Sequence, residues 1–152
     1  MLRIVALLIF SLITCSSCKH TADSPESAMK WLLEVPVWYL SEIKANGTSI
    51  LKDGKSIPTF SGLEFNRYMK ELRFLNEGKV DGVYNIGTAK TTLLWNISPQ
   101  VIAITSDEAS SDRGWSIAPS TVTKTSFIME TSSTAFDFPR NTHIELIYKA
   151  EK

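Results

Sequence analysis

Cysteine occurs at only two positions, Cys15 and Cys18, both at the end of an N-terminal apolar run. The body of the chain has none, so it holds no internal disulfide and no thiolate metal site, and its stability must come from packing. Histidine is equally scarce, with His20 and His143 alone. No charge of one sign dominates: Lys+Arg and Asp+Glu both number 16. Removing residues 1–17 takes away only Arg3 and leaves 15 basic against 16 acidic groups, a net charge of −1. Such a balance lacks the electrostatic footprint of a nucleic-acid binder or of a protein held to an anionic membrane by charge. There is no G-x-S-x-G elbow, Walker loop, H-E-x-x-H or EF-hand pattern. The expectation from these absences is a protein that is not an enzyme, with no cofactor, no metal and no nucleic-acid partner.

What is present begins with an address. Met1-Leu2-Arg3 is a short basic start, residues 4–13 (IVALLIFSLI) are apolar apart from Ser11, and Thr14 to Cys18 form a small-residue exit. This is the layout of a secretory signal, and the run falls well short of the ~20 apolar residues that a membrane-spanning helix needs. The stretch looks like a bacterial lipoprotein signal, in which a cysteine becomes the lipidated first residue. Cys18, preceded by Ser16-Ser17, is the expected lipidation site, and Cys15, with Leu12 three residues before it, is the alternative. The expected organisation is a signal peptide over 1–17, a polar tether over 18–27 and one domain over 28–152. The membrane would be a partner through the lipid, each buried CH₂ contributing about 0.8 kcal/mol. The expected location is the bacterial cell envelope, as an outer membrane lipoprotein on its periplasmic or surface face.

The domain opens with residues 29–43, MKWLLEVPVWYLSEI. Ser24-Pro25-Glu26 is a good helix start, with a side chain that caps, a ring suited to the first turn and an acid at the positive end. Ala28, Trp31, Leu32 and Val35 share one helical face, and Pro36 forbids continuation. A helix over 25–34 is predicted, followed by a strand in which Trp38, Leu40 and Glu42 alternate with Tyr39, Ser41 and Ile43, ending at Asn46-Gly47. A short helix with a Leu-Leu pair, a Trp and a strand ending in a polar Gly turn resembles the opening of lipocalin-like domains in lipoproteins of the Bacteroidetes type. Pro36 stands where classical lipocalins carry a Gly. The resemblance implies that Trp38 is a structural plug, closing one end of a barrel beneath the helix.

Residues 44–67 are the longest irregular stretch, a candidate functional loop with room for a short strand near Ser49 to Lys52. Strand patterns then follow at Tyr68–Leu75, Val80–Asn85, Thr91–Ser98, Val101–Thr105, Gly114–Ile117, Thr121–Thr131 and Asn141–Lys149, with a last loop around 131–140. With the opening strand this makes about eight, separated by short turns, as in an all-β, up-and-down antiparallel barrel with a short N-terminal helix. The hairpin LRFLNEG, the strand LLWNI and the strand GWSI carry the resemblance across residues 29–149.

Trp95, Trp115, Phe127 and Tyr148 fall on successive strands. In a hollow barrel they would be the wall of a pocket for a small hydrophobic or glycan-like ligand, since pockets are mostly apolar with a few placed polar groups; in a packed one they are core. His143 alternates with Glu145, Ile147 and Lys149, which reads as a half-polar strand face. Asp107, Glu108 and Asp112 read as a solvated turn. Two functions fit: a lipid-anchored, non-catalytic barrel that binds a small apolar or glycan-like ligand, or an interaction or inhibitor domain that meets an envelope protein through loops 44–67 and 131–140.

Overall fold

The structure, a computed structural model, describes residues 20–57, 68–87, 89–106, 114–137 and 139–150. Cys15, Cys18, the expected signal peptide and the acidic run 107–112 lie outside the described residues. Among the described residues one helix, α1 (Pro25–Glu34), precedes ten strands: β1 (Trp38–Ala45), β2 (Thr48–Lys52), β3 (Lys55–Ser56), β4 (Met69–Leu75), β5 (Lys79–Tyr84), β6 (Lys90–Ile97), β7 (Ile102–Ser106), β8 (Trp115–Ile117), β9 (Ser126–Asp137) and β10 (Arg140–Ala150). A 3₁₀ turn, Pro119–Thr121, links β8 to β9.

Eight of these strands close a barrel. In the order β1-β4-β5-β6-β7-β8-β9-β10 each pairs antiparallel with the next, and β10 pairs with β1 to complete the ring. Strands β2 and β3 stand outside it as a hairpin extension carried by the second half of β1. The expected short strand near Ser49 is β2. The turns Asn46-Gly47 and Asp53-Gly54 both have positive φ at each central residue, the twist that a two-residue hairpin needs. Up-and-down order gives the barrel two ends. The start of β1, the β4–β5 and β6–β7 turns and the 3₁₀ turn lie at one, with α1; the β1–β2, β5–β6 and β9–β10 turns lie at the other, the far end.

The helix forms where its sequence puts it. Ser24 caps it through the Ser27 amide at 3.2 Å, while Ser27 Oγ accepts from the Ser24 amide at 3.1 Å, a reciprocal box that uses serine in place of the usual acid. Val35 is extended ahead of Pro36, as a residue before proline must be. The buried face is Pro25, Ala28, Met29 and Leu32, with Trp31 and Val35 at its margin.

Ala22, within the stretch 18–27, is buried in the core, and its amide donates to the Val122 carbonyl at 3.0 Å. Two expectations are corrected. The alternation of β1 breaks at Ser41: a bulge between Leu40 and Glu42 moves the inward face from Trp38 and Leu40 to Ile43 and Ala45, and turns Glu42 outward. Ser41 Oγ ties the bulge down by donating to the Ile147 carbonyl at 3.1 Å. The strand expected over Thr121–Thr131 starts at Ser126, after the turn that Pro119 opens, and runs on to Asp137. Its pairing with β10 through Thr142↔Ser133 makes strand of most of the expected loop 131–140.

Candidate binding site: the barrel interior and its far end

Inward side chains follow from register, since paired residues share a face. At the helix end they make a solid core. Trp38, Leu72, Ile102, Ile117, Val122, Phe127 and Tyr148 are all essentially inaccessible. Phe127 is the hub. It stacks on Tyr148 with ring centroids 5.0 Å apart and 9° between planes, and meets Trp38 at 5.0 Å and Phe74 at 5.7 Å edge to face. These are the favoured aromatic geometries.

Polar atoms in this core are satisfied. The Trp38 indole N–H donates to the Leu32 carbonyl in the last turn of α1 at 3.0 Å, one of the carbonyls a helix leaves without an internal partner. The Tyr148 hydroxyl donates to the Met69 carbonyl at 2.9 Å. Burial pushes the Tyr148 hydroxyl far above the ordinary phenol range, so it stays protonated and keeps donating. Space between β4 and β5 is equally tight: a Cβ on Gly82 would sit 2.5 Å from Met69 Sδ and 3.2 Å from Thr91 Cγ2.

The four expected ligand residues therefore divide. Phe127 and Tyr148 are core, which no ligand reaches without unpacking the hub. Their strands deliver them to the end that α1 covers, and this is the physical reason they are not wall. Trp95 is half-buried, but its indole N–H donates to the Leu75 carbonyl at 3.0 Å and its backbone meets the Gly78 carbonyl, so it packs against the β4–β5 turn at the helix end. Only Trp115, the first residue of β8, belongs to the far half. In register Trp95 and Trp115 flank the buried Ile104, so they share one inward row without forming a continuous wall with Phe127.

The far half differs in character. Thr91 and Leu93 on β6, Trp115 on β8 and Thr131 on β9 face inward by register and are partly exposed. One aromatic, one aliphatic and two hydroxyl side chains thus lie on the inward face beside the buried Ile104, Met129 and Ile144, and the Thr131 hydroxyl donates to the Gly114 carbonyl at 2.9 Å. Thr91, Leu93 and Thr131 were not singled out in the sequence. The alternation of β6 carried the signal for the first two, but which end of the barrel a strand half occupies is a property of topology.

A second group lies on the outer surface. His143, expected on a half-polar strand face, is on the outward side of β10. Its Nε2 is 3.6 Å from Glu130 Oε2 on β9 and 3.8 Å from Glu145 Oε1, while Ser132 Oγ lies 3.1 Å from Nδ1. These carboxylates come from strands; the loop acids 107–112 lie outside the described residues. Neither a family model, nor a curated protein, nor a solved structure matches the chain.

Proposed function

We propose that the chain is a lipid-anchored protein of a bacterial cell envelope, tethered through Cys18 or alternatively Cys15, whose barrel binds without catalysis. The reading extends the resemblance to lipocalin-like lipoproteins. Its ligand is small and hydrophobic or glycan-like, and it is held in a shallow cup that Thr91, Leu93, Trp115 and Thr131 would form toward the far end. The observation that carries the reading is a contrast among inward-facing residues: the aromatic hub at the helix end is fully buried, whereas Thr91, Leu93, Trp115 and Thr131 keep partial exposure. An indole beside hydroxyl groups suits the apolar face of a sugar ring as well as a short acyl chain. A ligand here rests on the core; it does not enter it.

The test is native mass spectrometry of the chain purified from envelope, with Trp115→Ala alongside. A discrete mass released on denaturation and lost in the variant supports the cup. A mass retained in the variant, or none under conditions that preserve a weak control complex, refutes it. The second outcome favours the interaction domain. The long β9–β10 hairpin supports that alternative: β9 and β10 pair on to Arg140↔Asp137, while among the described residues β8 is registered on β9 only through Ser116↔Glu130.

A further inference from the structure

On the outer wall, Glu145 of β10 stands directly opposite Glu130 of β9. Like charges facing each other across a ladder destabilise it, so the pair calls for something cationic between them. What lies there is His143 Nε2, 3.6 Å and 3.8 Å from the two carboxylates. Both distances are too long for hydrogen bonds. The three candidate atoms lie within 4.8 Å of one another. Around one tetrahedral zinc, with ligands at 2.0–2.2 Å, neighbouring donor atoms are about 3.3 Å apart. Small rotations of half-exposed carboxylates cover the difference.

We propose that Glu130, His143 and Glu145 form a zinc-type site on the outside of the barrel, with three protein ligands and a fourth position open to water. The chemistry fits the donors. An imidazole nitrogen with two carboxylate oxygens suits a borderline divalent cation such as Zn²⁺, whereas Ca²⁺ and Mg²⁺ want oxygen alone. The surroundings orient the imidazole. Ser132 Oγ, 3.1 Å from Nδ1, can accept its proton and so turn the Nε2 lone pair to the metal. The backbone at His143 is pinned on both sides by Asn46 of the β1–β2 turn: the His143 amide donates to Asn46 Oδ1 at 2.9 Å, and the Asn46 amide donates to the His143 carbonyl at 2.8 Å. The ligands stand on paired strands, which hold a site more precisely than loops. Along the same row Lys44 of β1 is registered beside Glu145 and Ser116 of β8 beside Glu130. Lys44 cancels one negative charge and leaves one for the cation.

The probe is Zn²⁺ alone, titrated calorimetrically into the full chain in detergent after stripping with a chelator, with Mg²⁺ and Ca²⁺ in excess. One equivalent should bind, and Co²⁺ in its place should show the visible absorption of a tetrahedral centre. His143→Ala should abolish binding, and the double variant Glu130→Gln, Glu145→Gln should do the same while keeping the imidazole. Ser132→Ala should weaken it about tenfold or more, as loss of an orienting partner does. His20→Ala should leave it unchanged. Without metal, Glu130→Gln should melt no lower than the parent, since a repulsive pair is removed. If His143→Ala misfolds, the double variant decides. The proposal is overturned if no saturable zinc binding occurs, or if it survives in either His143→Ala or the double variant.

Discussion

Trp38 ties the last turn of the helix to the barrel by a hydrogen bond, and Trp38→Phe measures that tie. The substitution keeps an aromatic ring against Phe127 but removes the indole N–H from the Leu32 carbonyl and the outer part of the ring system from a fully buried place. A buried acceptor left without a partner costs about 1–3 kcal/mol. The missing volume, roughly 40 Å³, adds about 1 kcal/mol at ~24 cal/mol per Å³. Together the loss is about 2–4 kcal/mol. In urea, with m of about 2 kcal/mol/M, the middle of the usual range, the midpoint should fall by roughly 1–2 M. The loss should have a location. Amide exchange in α1, above all around Ala28 to Leu32, should quicken more than exchange in β7, because the lost bond joins helix to barrel. A midpoint within experimental error of the parent would refute the assignment of Trp38 as the plug. A large loss with uniform exchange across helix and sheet would show that Trp38 supports the core but does not hold the helix.

Other predictions concern the same core. Tyr148 is held protonated by burial, so its folded pKa lies above its unfolded value near 10; the stability this contributes is complete below about pH 10 and is lost as pH rises beyond it. Tyr148→Phe should therefore flatten the alkaline fall in stability, seen by denaturant titration at a series of pH values, while costing about 1–3 kcal/mol at neutral pH through the orphaned Met69 carbonyl. An equally steep alkaline fall in the variant would disprove the link. Gly82→Val should cost about 1–3 kcal/mol by overpacking against Met69 and Thr91, read as a lower melting temperature, and Met69→Ala in the same chain should return part of it. Absence of any rescue would mean that the two sites are not coupled.

Much of this architecture was legible in the residues, and the parts that were not share a physical cause. Local signals announced themselves: Ser24-Pro25 for the helix start, Asn46-Gly47 for the end of β1, and two-residue alternation for most strands. What local sequence cannot encode is pairing. The bulge at Ser41 exists because β1 must satisfy β10 along its length while parting from β4 for β2. Residues 132–135, Ser-Ser-Thr-Ala, have the composition of a loop, and it is the ladder from β10 that makes them strand. Which of the aromatic candidates is core depends on which barrel end each strand half reaches. The His143-Glu145 spacing is a visible same-face pair; Glu130 joins it only through register.

The ring itself closes at a narrow seam, and this explains why stability gathers at the helix end. β1 meets β10 in register from Trp38 to Ala45, but meets β4 only through Trp38↔Leu72 and Tyr39↔Glu71 before its free side passes to β2. So short a ladder is worth little by itself, and what holds it is the side chains that cross it: Trp38 and Leu72, both buried, beside Phe127. Leu72→Ala should then do more than lower stability by the ~2–5 kcal/mol of a core truncation. It should raise exchange of the Tyr39 and Glu71 amides relative to those of β9 and β10. Ile144→Ala is the matched control, a truncation of similar cost at a site on the broad β9–β10–β1 side, equally buried but away from the seam. If both variants open the β1–β4 seam to the same degree, the barrel unfolds as one unit and the seam has no separate stability. If only Leu72→Ala opens it, closure is a packing event at the helix end, and the far end can vary its loops and its cup without risking the ring.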